Sequence, residues 1–96
     1  MAYDPGAIDA TLAAAVGDEP ALIAELREAF LDSAKGNLDA MDRSRDHAGW
    51  KDAALRLKGL AASFGAVRLM VLAGEAADTP GNPEVYRRMR RAVERL

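Results

Sequence analysis

The stretch Ala53-Ala54-Leu55-Arg56-Leu57-Lys58-Gly59-Leu60-Ala61-Ala62-Ser63-Phe64-Gly65-Ala66 decides how this chain folds. Trp50, Ala53, Ala54, Leu57, Leu60, Ala61 and Phe64 recur at three- and four-residue steps, which is helical spacing. At about 100° per residue they share one stripe roughly 120° wide, centred on Leu57. Leu55 points about 160° away from that centre, onto the face that meets water. Gly59 and Ala62 lie beside it one and two turns on, with Lys58 and Lys51 along one flank. A single exposed leucine carries little meaning. A leucine, a glycine and an alanine stacked on the outer face of a core helix form a candidate docking strip.

The rest of the chain supplies partners for that stripe. Asp4-Pro5 reads as an N-cap followed by a proline at the first helical position. The helix it opens carries Ile8, Leu12, Ala13 and Val16 and ends at Gly17. It is too short to stand alone and must lie across another element. Asp18 starts a second helix, with Pro20 in its first turn. Leu22, Ile23, Leu26, Phe30, Ala34, Leu38 and Met41 carry its pattern to about Arg43. Gly36 sits inside it at a cost of about 1 kcal/mol relative to Ala, so either a neighbour approaches closely there or the site is exposed.

The connection Arg43–Gly49 offers Asp46 as the N-cap of the third helix, which runs from about His47 to Phe64 and stops at Gly65. The fourth helix, Ala66 to about Ala77, is apolar nearly all round. Ala66, Leu69, Leu72, Ala73 and Ala76 form one stripe, while Val67 and Val71 lie opposite. A helix apolar on two faces is expected to be covered twice, and the short first helix is the natural second cover. Asp78-Thr79-Pro80-Gly81 is a turn cluster. Asn82-Pro83 then opens a fifth helix with Val85, Tyr86, Met89, Ala92, Val93 and Leu96 on its stripe.

No segment alternates with period two. The pattern predicts an all-α chain: one domain over residues 1–96, an antiparallel up-and-down four-helix bundle with a short N-terminal capping helix. The length of 96 residues allows one core.

Charge and composition narrow the function. The net charge of −2 argues against a dedicated nucleic-acid binder, and the absence of cysteine excludes disulfides and thiolate sites. No apolar run reaches the ~20 residues of a membrane span. The opening residues lack a basic region and an apolar core of a secretory signal, so the expected compartment is the cytoplasm. Seven acids and one base, Arg27, lie between Met1 and Asp32, whereas Asn82 to Leu96 holds five arginines and two glutamates. Two solvated helix faces of opposite sign that attract one another are the plain expectation; a basic docking surface is the sharper one.

Enzyme chemistry finds no footing. Gly59 and Gly65 do not form a phosphate loop, and there is no Glu-x-x-His metal pattern. His47, the one histidine, stands at a helix start with no partner for a metal site or triad. Glu25 and Glu28 face off the apolar stripe, and Ser33, Ser44 and Ser63 have no base nearby in sequence. No metal or cofactor is expected.

One resemblance is specific. Leu55-Arg56-Leu57-Lys58-Gly59-Leu60-Ala61, then Phe64-Gly65-Ala66 and Leu69, resembles the signature of histidine-containing phosphotransfer (HPt) domains of bacterial phosphorelays. That signature reads His-x-Leu-Lys-Gly-x-Ala, then an apolar-Gly-Ala step and a later Leu…Glu. Leu57, Lys58, Gly59, Ala61, Gly65, Ala66, Leu72 and Glu75 match it, and Phe30 falls where these domains carry a Phe on the preceding helix. Asp4-Pro5 and Asp18-Glu19-Pro20 are similar to their helix openings. The resemblance covers nearly the whole chain and implies the same bundle.

Its departure is at the centre. The phosphorylated histidine of the pattern falls on Leu55, which has no lone pair to attack phosphorus. In the family, the residue matched by Lys58 stabilises phosphate charge, and the one matched by Gly59 leaves room for the phosphoryl group and the incoming receiver. His47 lies about 12 Å back along the axis on another face and is no substitute.

The resemblance therefore implies a pseudo-phosphotransfer signalling module that is not an enzyme. It would bind a response-regulator receiver domain, free or within a hybrid kinase, through Leu55, Lys58, Gly59, Ala62, Lys51 and Arg56. The alternative is a structural or oligomerisation bundle without a receiver partner, in which Leu55 packs in a self-contact.

Overall fold

The computed structural model describes residues 6–17 and 19–96. The expected caps Asp4-Pro5 and Asp18 lie outside the described residues. Five helices follow in order: α1 Gly6–Val16, α2 Pro20–Arg43, α3 His47–Ser63, α4 Val67–Asp78 and α5 Pro83–Glu94. No strand occurs among the described residues, so the chain is all-helical.

Local chemistry sets the helix boundaries. Glu19 takes the extended N-cap conformation of α2, with Pro20 at its first position and no side-chain cap. The Asp46 carboxylate accepts the Gly49 N–H at 2.7 Å and caps α3. The Asn82 side chain accepts from Glu84 N at 3.0 Å and Val85 N at 3.2 Å and caps α5. The end of α3 is a Schellman turn. Gly65 takes φ 74°, its N–H reaches Ala62 O at 3.3 Å, and the Ala66 N–H reaches Ala61 O at 2.9 Å. Ala61 and Ala66, brought together by that turn, are both buried. In the turn before α5, Pro80 precedes Gly81 at φ 79°, and Asn82 N–H closes onto Thr79 O at 3.1 Å.

The helices touch in a defined order. α3 packs on α2 and on α4, α5 packs on α4 and on α2, and α1 packs on α2. Neither α2 with α4 nor α3 with α5 comes into backbone contact among the described residues. The molecule measures 42 × 25 × 18 Å. Its shortest dimension fits two layers of helices, whose axes pack about 8–10 Å apart.

One buried cluster runs through all five helices, from Ile8 and Leu12 to Met89 and Val93. Its two ends are marked by rings. Phe30 of α2 stacks on Phe64 with centroids 4.7 Å apart. At the other end Trp50 tilts against Tyr86 at 5.9 Å, and the Trp50 Nε1–H donates to Ala76 O at 2.7 Å. The Tyr86 hydroxyl donates to Leu38 O at 3.1 Å. Burial, followed by the nearby Asp42 carboxylate, raises the Tyr86 pKa above its ordinary value, so the hydroxyl keeps its donated proton.

Two expectations change. α1 does not cover the second apolar face of α4. It lies on α2, where Asp9 meets Arg27 at 2.6 Å and Arg27 also donates to the Leu96 carbonyl. Val67 and Val71 are left 52% and 57% exposed. The opposite-sign faces are solvated, and no ion pair joins them among the described residues. Arg87 and Arg88 pair with Glu84 within α5, at 2.6 and 3.5 Å. That pairing, first through the Arg87 hydrogen bond, lowers the Glu84 pKa.

The question of Gly36 is settled by space. A Cβ built there meets nothing within 4 Å. Gly36→Ala is therefore expected to stabilise the fold by about 0.5–1 kcal/mol, since it removes the glycine's backbone entropy cost at no steric expense. Urea unfolding followed by circular dichroism reads this as a higher midpoint at unchanged slope.

Candidate functional site

The capped, core-facing α3 fixes what its outer surface presents. Trp50, Ala53, Ala54, Leu57 and Ala61 are buried. That stripe turns Leu55 outward, 45% exposed. Lys51, Arg56, Lys58, Gly59 and Ala62 are also exposed. At about 100° per residue, Ala62, Gly59, Lys51 and Lys58 all project within about 60° of Leu55. Arg56 does not join them. It projects about 100° away, on the flank opposite Lys51 and Lys58.

The strip is flat. A Cβ at Gly59 meets nothing within 4 Å, so no neighbour inside the chain requires glycine there. The Ser63 hydroxyl donates to Gly59 O at 3.0 Å, one turn back along the helix. Lys58 leans the other way. A Cβ built on Gly74 of α4 would sit 3.7 Å from the Lys58 Cδ, Cε and Nζ atoms, so the side chain lies across Gly74 along the α3–α4 seam.

Neither Gly74 nor Ser63 was assigned to this site from sequence. Gly74 carries no sequence signal for this role beyond its place inside the apolar pattern of α4. Ser63 carried the signal of a hydroxyl four residues after Gly59, the spacing at which it bonds back along its own helix.

Elsewhere the described residues offer little chemistry. His47 is exposed at the start of α3. No group of three His, Cys, Asp or Glu side chains is placed to hold a metal ion among the described residues. A groove of about 330 Å³ between α2 and α5 is lined by Lys35, Asp39, Asp42, Tyr86 and Arg90, with charges of both signs. No helix among the described residues is long and apolar enough to cross a membrane. On the outer face of α3 the Leu55 side chain has no lone pair with which to attack phosphorus.

No protein-family model matches the chain, and neither a curated protein nor a solved structure matches it.

Proposed function

We propose that the protein is an HPt-like signalling module of the cytoplasm that binds a response-regulator receiver domain without accepting phosphate. The observation that carries this reading is Leu55. It stands outward with open space over Gly59 beside it, and the sequence resemblance matches it to the HPt histidine. The ring of contacts α2–α3–α4–α5–α2, joined by short links, supports the antiparallel up-and-down four-helix bundle that goes with it.

Receiver binding would centre on Leu55, Gly59 and Ala62, with the exposed outer residues of α2 alongside. About half of the Leu55 side chain remains to be covered, so its burial contributes roughly 1 kcal/mol, part of the ~1.5–3 kcal/mol for a whole side chain. A micromolar complex needs about 8 kcal/mol, so Leu55 acts with its neighbours rather than alone. Such a module sequesters a receiver or competes with a true phosphotransferase for it.

Heteronuclear NMR titration against receiver domains from the same cell tests the reading. Shifts are expected at Leu55, Gly59 and Ala62 with one receiver, and Leu55→Asp is expected to weaken that complex at least tenfold. Silence with every receiver would remove the proposal.

A further inference from the structure

The outer face of α4 carries two of the three large hydrophobic side chains left exposed among the described residues. Val67 and Val71 are more exposed than Leu55, at 52% and 57% against 45%. Arg68, Glu75 and Asp78 are exposed with them. At about 100° per residue these five side chains share an arc of about 100°. None of the three charged residues forms an ion pair among the described residues, whose ion pairs join Arg27 to Asp9 and Glu84 to Arg87 and Arg88. The helix thus presents a base three residues before Val71 and an acid four residues after it.

That order is self-complementary. In an antiparallel pair of α4 helices related by a two-fold axis between positions 71 and 72, each Val71 meets the partner copy near the axis. Each Arg68 then lies opposite the other copy's Glu75, and the axis makes the pair twice. Asp78 falls within a turn of the opposing Arg68. Parallel pairing would set arginine against arginine and glutamate against glutamate. Opposed helix dipoles favour the same antiparallel sense.

We infer that the outer face of α4 docks a second copy of this chain, antiparallel, with Val71 at the two-fold axis and Arg68 facing Glu75 across it. Val67 and the Lys58 hydrocarbon over Gly74 flank the contact. The contact rests on two exposed valines of each copy and the ion pairs beside them, so the association is transient, with a dissociation constant on the order of 100 µM to 1 mM. It leaves Leu55, Gly59 and Ala62 on the outer face of α3 open.

Sedimentation equilibrium between roughly 10 µM and 1 mM reads this directly. The weight-average mass is expected to rise from 10.2 kDa toward twice that value. Val71→Ser is expected to keep the chain monomeric. Arg68→Glu and Glu75→Arg place like charges together on both sides of the axis and are each expected to weaken association roughly tenfold. An equimolar mixture of those two variants restores opposite charges at both positions, so it is expected to associate at least as well as the native chain.

All these side chains are exposed, so far-UV circular dichroism should be unchanged. A native chain that stays monomeric to about 1 mM overturns the inference. So does a mixture that fails to associate. Association lost with Leu55→Asp but kept with Val71→Ser would also overturn it, and would place the self-contact on α3.

Discussion

Replacing Leu55 with histidine is expected to create phosphate transfer, and the native chain is expected to show none. The side chain at this position is 45% exposed on the outer face of α3, so an imidazole fits there without disturbing the core. Room for the reaction is already present, because nothing lies within 4 Å of a Cβ on Gly59. One ring nitrogen would attack the phosphorus of a receiver aspartyl phosphate. The P–O bond to the aspartate breaks, its electron pair leaves with the carboxylate, and the ring proton passes to water.

Incubating Leu55→His with a phosphorylated receiver should yield acid-labile label on this chain, and the native protein should take none. Lys58 must leave Gly74 to meet the transferred group, a rotation open to a long flexible side chain. Lys58→Ala in the Leu55→His background is expected to slow transfer about tenfold, a modest loss because the ammonium is exposed to water. A Leu55→His protein that binds the receiver and remains unlabelled would show that more than the nucleophile is missing, and the phosphorelay origin of the site would fall with it.

Features encoded within a few residues of one another were legible before any coordinates. The Asp46 and Asn82 caps act on backbone N–H groups two or three residues away, and Gly65 ends α3 through its own φ of 74°. The outward direction of Leu55 follows from the same helical period that buries Leu57. The five helices are legible for that reason, as are most members of the proposed receiver surface.

What escaped the sequence depends on contacts between distant segments. The apolar residues on both faces of α4 say that a second cover would be favourable, not that one exists. The short α1 goes to α2 instead, where Arg27 holds both Asp9 and the Leu96 carbonyl. Composition alone does not reveal that pairing, because Arg27 is a lone base among acids and each of them is a possible partner. The lean of Lys58 onto Gly74 is of the same kind, since a helical wheel gives the direction of a Cβ but not the path of four further atoms. Arg56 projects about 100° from Leu55 around the helix. It neighbours Leu55 in sequence, and adjacency along a helix is separation around it.

Trp50→Ala is expected to be the most destabilising of the single substitutions considered, at about 3–5 kcal/mol. The ring is 8% exposed and joins four helices in one chain of contacts. From α3 it donates to Ala76 O of α4 at 2.7 Å and tilts against Tyr86 of α5, whose hydroxyl reaches Leu38 O of α2 at 3.1 Å. Ala53, Ala54, Ala73 and Ala76 belong to the same buried cluster. Small side chains on packed helices cannot swing in to fill the lost volume, so most of the cavity persists.

The Ala76 carbonyl is not orphaned, because the Thr79 N–H still reaches it at 3.2 Å. The cost of Trp50→Ala is therefore mainly packing, and Trp50→Phe separates the two terms. It retains a ring against Tyr86 and forfeits the donated hydrogen bond and part of the volume, for about 1–2 kcal/mol. A domain is stable by about 5–15 kcal/mol in total, so the alanine variant gives up about a third of that or more. Urea unfolding must be followed by circular dichroism, because both substitutions remove the one tryptophan of the chain. A Trp50→Ala protein within about 1 kcal/mol of the native midpoint would mean that the four helices are not joined through this ring.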